Sequence, residues 1–162
     1  MDETIKRRLA TEWKKLAAGS VFSVQDFSVA LSKRQFLSFL SAYLDQGEVS
    51  QVVPNIYYKI KFSNLFNPPR ALPPDLSKVL AALTRLTGES FQYDGGYCAN
   101  RLGLSTQIPL YHVLHTSGRS RRFKLAGVDV VLNHMDVKLI KAIKDQLSLE
   151  EDAKLLSADF PK

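Results

Sequence analysis

Residues 20–60 read "SVFSVQDFSVALSKRQFLSFLSAYLDQGEVSQVVPNIYYKI", and the order of patterns within them decides the fold. Ser32 is placed to cap a helix that begins at Lys33. On that helix Phe36, Leu37, Leu40, Tyr43 and Leu44 recur at helical spacing and form an apolar stripe, and Gly47 stops it. Two β-rich runs follow, "EVSQVV" and "IYYKI", separated by Pro54-Asn55, which is a hairpin signal. Upstream, "SVF" reads as a short extended piece. Ser23 then caps a predicted short helix carrying Val24, Phe27 and Leu31. Before that, Ile5, Leu9, Trp13, Leu16 and Ala17 give a first helix with one apolar face, ended by Gly19.

Helix, short helix, helix and hairpin within about 60 residues is the order of a winged helix-turn-helix, in which the third helix enters the major groove. Opposite its apolar stripe that helix carries Lys33, Arg34, Gln35 and Ser38, with Ser41 further along. Lys and Arg supply phosphate contacts or donors to guanine, and Gln can pair with adenine. Lys6, Arg7, Arg8, Lys14 and Lys15 add positive charge on the first helix. The bland alternative is a solvated charged surface, a common fate for such residues.

The totals fit this reading. The chain has 162 residues, a net charge of +6, 45% apolar and 23% charged residues, the composition of a folded domain or two small ones. Basic balance favours a polyanionic partner. Up to Lys61 there are 9 Lys and Arg against 6 Asp and Glu, and beyond it 13 against 10, so each part is +3. The charged start "MDETIKRRLATEWKK" is not a secretory signal, and no apolar run approaches a bilayer span. Cys98 is the only cysteine, so no internal disulfide forms, and a reducing cytoplasm is expected.

Four prolines in "NLFNPPRALPPD", Asn64 to Asp75, disfavour helix and weaken strand pairing. They predict a linker over 63–74 between a DNA-binding domain at 1–62 and an α+β domain at 75–147. In the latter, Leu76, Val79, Leu80, Leu83 and Leu86 mark a helix closed by Gly88. A short helix is expected from Tyr97 to Leu102. Three β-type runs follow, Val113–Thr116, "RRFKLA" and "VDVVLNH", joined at Ser117-Gly118 and Gly127. A last helix, Asp136 to Leu147, carries Val137, Ile140, Ile143 and Leu147 on one side. The tail 148–162 has capping-box spacing at Ser148 and Glu151 and predicts a short final helix. The fold class is α+β.

Catalytic patterns are sparse. His112 and His115 lie three apart in a predicted strand and face opposite ways. His134 near Asp136 is too little for a zinc site. "HExxH", "GxxxxGKS" and "GxSxG" do not occur, and Ser105 and Thr106 have no base beside them in sequence. The expectation is a binding protein, without enzyme activity, cofactor or metal.

"CANRLGLSTQIP" followed by "HTSG" resembles the C-terminal half of AbiEi-like antitoxins of type IV toxin–antitoxin systems. The matching residues are Ala99, Asn100, Leu102, Gly103, Leu104, Ser105, Gln107, Pro109, Thr116 and Gly118. "RRFKLAGVDVVLNH" resembles the family's β segment, and Tyr57 and Tyr58 after the wing fit its N-terminal architecture. The likeness is strong from Gly95 to His134 and looser before. One departure is the wing, "VSQVVPNIYYKI", which has no basic residue until Lys59.

The resemblance implies a winged helix that represses its own promoter on double-stranded DNA. It also implies a C-terminal half that counters a nucleotidyltransferase-like toxin, with or without stable contact. Ser105, Thr106, Gln107, Arg119, Arg121 and Arg122 are the expected partner surface. The alternative is a stand-alone winged-helix regulator whose second half dimerises or senses a ligand.

Overall fold

The computed structural model describes residues 2–94 and 111–158. The chain is α+β and divides into two compact units. The first is Met1–Gly88 together with Lys124–Gly127; the second is Glu89–Phe123 with Val128–Lys162.

In the first unit, α1 (Glu3–Lys15) is capped by Asp2 and followed by β1 (Val21–Phe22). A single 3₁₀ turn, Val24–Asp26, stands where the sequence predicts a short helix. Ser23 and Asp26 close a capping box on it, but the chain then leaves helical geometry. The Ser28 amide (3.0 Å) and hydroxyl both donate to the Glu12 carboxylate on α1, so side-chain bonds take the place of a second helical turn.

Helix α2 (Lys33–Asp45) begins at Ser32 as the sequence predicts, with a reciprocal capping box to Gln35. β2 (Val49–Val53) and β3 (Ile56–Lys59) pair antiparallel, with Asn55 at φ 66° in the turn. β1 pairs on the other side of β3, Val21 opposite Tyr58 and Phe22 opposite Tyr57, giving the order β1-β3-β2.

The core of this unit is aromatic. Leu9, Trp13, Phe22, Phe27, Phe36, Leu40, Val49 and Tyr57 form one buried cluster. Trp13 meets Phe22 edge-on at 5.7 Å, and Phe36 meets Tyr57 at 5.8 Å. Each such ring buried stabilises the fold by roughly 1.5–3 kcal/mol. Leu37 departs from the predicted stripe and stays 37% exposed, while Phe39 is half-buried on the Trp13 and Tyr43 rings.

The proline-rich segment is structured. β4 (Lys61–Ser63) pairs antiparallel with β5 (Arg70–Leu72) as a two-stranded hairpin, Phe62 opposite Ala71. The prolines occupy its loop and the stretch after β5, where no ladder donor is needed. Helix α3 (Leu76–Thr87) runs from the Asp75 cap to Gly88 at φ 77°. It buries Val79, Leu80, Ala82 and Leu83 and packs on β1 and β3. Arg85 on α3 donates to Asp26 (2.7 Å) and to the Val21 carbonyl (3.4 Å). The compact division therefore falls after Gly88 rather than within 63–74, and α3 counts with the first unit.

The second unit holds β6 (Phe91–Tyr93), β7 (His112–Thr116), β8 (Arg121–Leu125) up to Phe123, β9 (Val128–His134) and α4 (Val137–Ala158); the last two residues of β8 count with the first unit. Strand order is β6-β7-β9-β8, with β6 antiparallel and β9 parallel to β7. The sequence reading has no strand at 91–93. α4 packs on β6 and β7 and buries Ile140. It continues through Ser148 to Ala158 as one helix, without the predicted break. The expected helix Tyr97–Leu102, with Cys98, Gly103 and Pro109, lies outside the described residues.

Candidate nucleic-acid interface

The charge of the molecule is divided unevenly. The first unit holds 13 Lys and Arg against 7 Asp and Glu, and the second 9 against 9. The whole net charge of +6 thus belongs to the first unit, a division that follows the compact units and not the halves on either side of Lys61.

Within it, α2 offers an exposed face. Lys33, Arg34 and Ser38 are exposed, as are Ser41 and Ala42. From Lys33 to Leu44 the helix has no carboxylate; Asp45 is its last residue. Its N-terminal turn is fixed because the Ser32 amide and hydroxyl both donate to the Gln35 side-chain oxygen at 3.0 Å. That bond changes the part expected of Gln35. Bidentate pairing with adenine needs the same oxygen, so Gln35 holds the helix start while Lys33, Arg34 and Ser38 remain presented.

On α1, Lys6, Arg7, Arg8, Lys14 and Lys15 are exposed. Lys6 lies 3.6 Å from Glu3, an exposed pair of small energetic weight. Glu12 is occupied by Ser28, whose hydroxyl and amide hold its carboxyl below the usual range. Lys59 is unavailable to phosphate. Its ammonium donates to the carbonyls of Trp13 (3.1 Å) and Leu16 (2.8 Å) and stands 4.4 Å from the centre of the Trp13 ring. It closes the C-terminus of α1, where orphan carbonyls and the helix dipole favour a cation.

In the second unit the expected arginines part company. Arg119 and Arg122 are exposed. Arg121 forks onto Glu89 at 2.9 and 3.2 Å, with side-chain exposures of 33% and 16%. Glu89 also accepts the hydroxyl of fully buried Thr116 (2.8 Å). The Thr116 hydroxyl in turn accepts the Gly118 amide (3.0 Å), and the Ser117 hydroxyl accepts the Ser90 amide (2.9 Å). Arg121 is therefore a corner of the fold rather than an open partner contact. Ser105, Thr106 and Gln107 lie outside the described residues.

Two of the histidines serve local structure. His115 Nε2 donates to Asp94 (3.2 Å), and His134 Nδ1 donates to the Gly118 carbonyl (2.7 Å). Among the described residues no three His, Cys, Asp or Glu gather as a metal site. The first unit also has a groove of about 540 Å³ bordered by Ser50, Gln51 and Val52 of β2 and by Leu72, Pro73 and Pro74. No helix among the described residues is long and apolar enough to cross a membrane. A protein family of unknown function, DUF6088, matches residues 8–153. No curated protein and no solved structure matches the chain.

Proposed function

The chain belongs to the DUF6088 family, and we propose that it is a DNA-binding antitoxin of a type IV toxin–antitoxin system, a binding protein and not an enzyme. In this reading the first unit is a winged helix-turn-helix that represses the protein's own operon. The second counters a nucleotidyltransferase-like toxin. The observation that carries the DNA-binding part is the exposed face of α2: cationic at its capped start, free of carboxylates to Leu44, and set in the unit that holds all the net charge.

The element order supports the winged-helix reading. α1, β1, a 3₁₀ turn, α2 and the β2–β3 hairpin follow one another, with β1 on β3. The wing contributes little charge, because Lys59 is spent on α1. Lys33, Arg34 and the α1 cations Lys6, Arg7 and Lys14 supply the phosphate contacts.

The antitoxin part rests on the resemblance over Gly95–His134. The electrically neutral second unit fits a role other than holding DNA. The engagement of Arg121 with Glu89 favours the second reading, a stand-alone regulator, since it removes one expected partner contact. Co-expression of the full chain with the neighbouring gene, scored for growth and for a reporter on the upstream region, separates the two. Rescue of growth with repression supports the antitoxin. Repression with a harmless neighbour supports the regulator.

A further inference from the structure

The β4–β5 hairpin carries an apolar tip that its own unit does not cover. Phe62 is 51% exposed, Phe66 46% and Leu65 92%. The tip is held in place from below. The Tyr58 hydroxyl donates to the Leu72 carbonyl (2.9 Å) and accepts the Lys61 amide (3.3 Å). The Ser63 hydroxyl accepts the Leu65 amide (3.3 Å), and the Arg70 guanidinium lies 4.9 Å from the centre of the Phe66 ring.

The segment itself carries charge of one sign between the flanking Glu48 and Asp75. From Val49 to Pro74 the chain has Lys59, Lys61 and Arg70 and no Asp or Glu. Lys59 turns inward to α1, and Lys61 and Arg70 sit exposed at the hairpin. The Ile60 amide donates to the Glu48 carbonyl (2.8 Å), so the hairpin starts where α2 hands the chain to β2.

A second copy of the chain would set the +6 of this unit against itself. A duplex instead offers phosphates to Lys61 and Arg70, and an apolar slot wherever a base step unstacks. Leu, Phe and Pro beside Arg are side chains that minor-groove binders insert in this way.

We infer that the β4–β5 hairpin is a second DNA-contacting element, which wedges Leu65 and Phe66 into the minor groove beyond the C-terminal end of α2 and kinks the duplex there. This rests on the DNA-binding reading above.

The test uses the full chain and a duplex of its own upstream region, labelled at both ends for energy transfer. The wild type brings the ends closer on binding. A double variant, Leu65→Ser with Phe66→Ser, still binds, but at least roughly tenfold more weakly, the scale of one lost base contact, and no longer bends the duplex. If the double variant melts early, Leu65→Ser alone carries the same comparison.

Equal affinity and equal bending for variant and wild type overturn the hairpin's role and leave DNA binding standing. Failure of the wild type to bind any duplex overturns both. Two controls run beside it: sedimentation with phosphatidylglycerol vesicles, and sedimentation velocity of the protein alone. Loss of vesicle binding or of a dimer in the variant, with bending unchanged, overturns the inference in favour of lipid or of a second copy.

Discussion

The side chains that look alike in sequence separate sharply once their contacts are known. Arg34 and Arg121 both follow a turn-like segment and both invite a phosphate. Arg34 is exposed, while Arg121 forks onto Glu89. Changing Arg34 to Ala should leave the melting temperature unchanged. It should weaken specific DNA binding by roughly 1–3 kcal/mol if the side chain reads guanine. Arg121→Ala should do the reverse. It strips the ion partner from a carboxylate that also holds buried Thr116, at a cost of about 1–3 kcal/mol in stability, read in a urea titration. Gly118 explains the small residue in "HTSG": a Cβ there would run into the Glu89 side chain, which is tied to Thr116 and Arg121. None of this pairing was legible in the sequence, because Glu89 and Arg121 are 32 residues apart and each resembles ordinary surface. Glu12 gives a pH test. The Ser28 hydroxyl, then its amide, lower the carboxyl's pKa in the fold. A lowered pKa contributes stability above the unfolded glutamate range, lost as pH falls through the folded value. Glu12→Gln should therefore flatten the loss of stability on acidification, measured by thermal melts from neutral pH downward.

The bounds of α2 and α3 were legible in the sequence, and the side-chain roles at helix ends were not. Ser32, Asp75 and Gly88 mark where α2 and α3 begin and end, because capping is a local bond that sequence spacing expresses. The proline-rich stretch misled for a physical reason: prolines forbid ladder donors only where they stand, and the two three-residue strands at Lys61–Ser63 and Arg70–Leu72 flank them. The tail misled because a capping-box spacing inside a helix is not a start signal when no break precedes it, and α4 continues to Ala158. Lys59 is the informative element-scale case, since a lysine in a wing would be taken for a phosphate contact. Lys59→Met should cost about 1–3 kcal/mol of stability, the worth of charge-assisted bonds to two helix-end carbonyls. The salt dependence of DNA binding should not change. A slope reduced by about one unit would instead give Lys59 a phosphate.

Across the whole molecule, the two compact units divide the charge unevenly, with all of the net +6 in the first. The boundary at Gly88 places α3, and with it the Arg85 grip on Asp26 and on the Val21 carbonyl, inside the unit that carries α2. Cutting the chain at residue 62 should therefore leave a poorly folded fragment, because β1 and β3 would lose the buried face of α3; circular dichroism of a 1–62 fragment against the full chain checks this. The +6 of the first unit predicts binding that weakens steeply with salt, the logarithm of affinity falling by about 0.9 for each tenfold rise in salt per phosphate neutralised. The most direct test of the account is a gel-shift titration of the full chain against its own upstream region and a scrambled duplex of the same length, at several salt concentrations. The account predicts tighter binding to the upstream region at every salt, a preference that Arg34→Ala reduces. Equal affinity for the two duplexes, with Arg34→Ala indistinguishable from wild type, would contradict it.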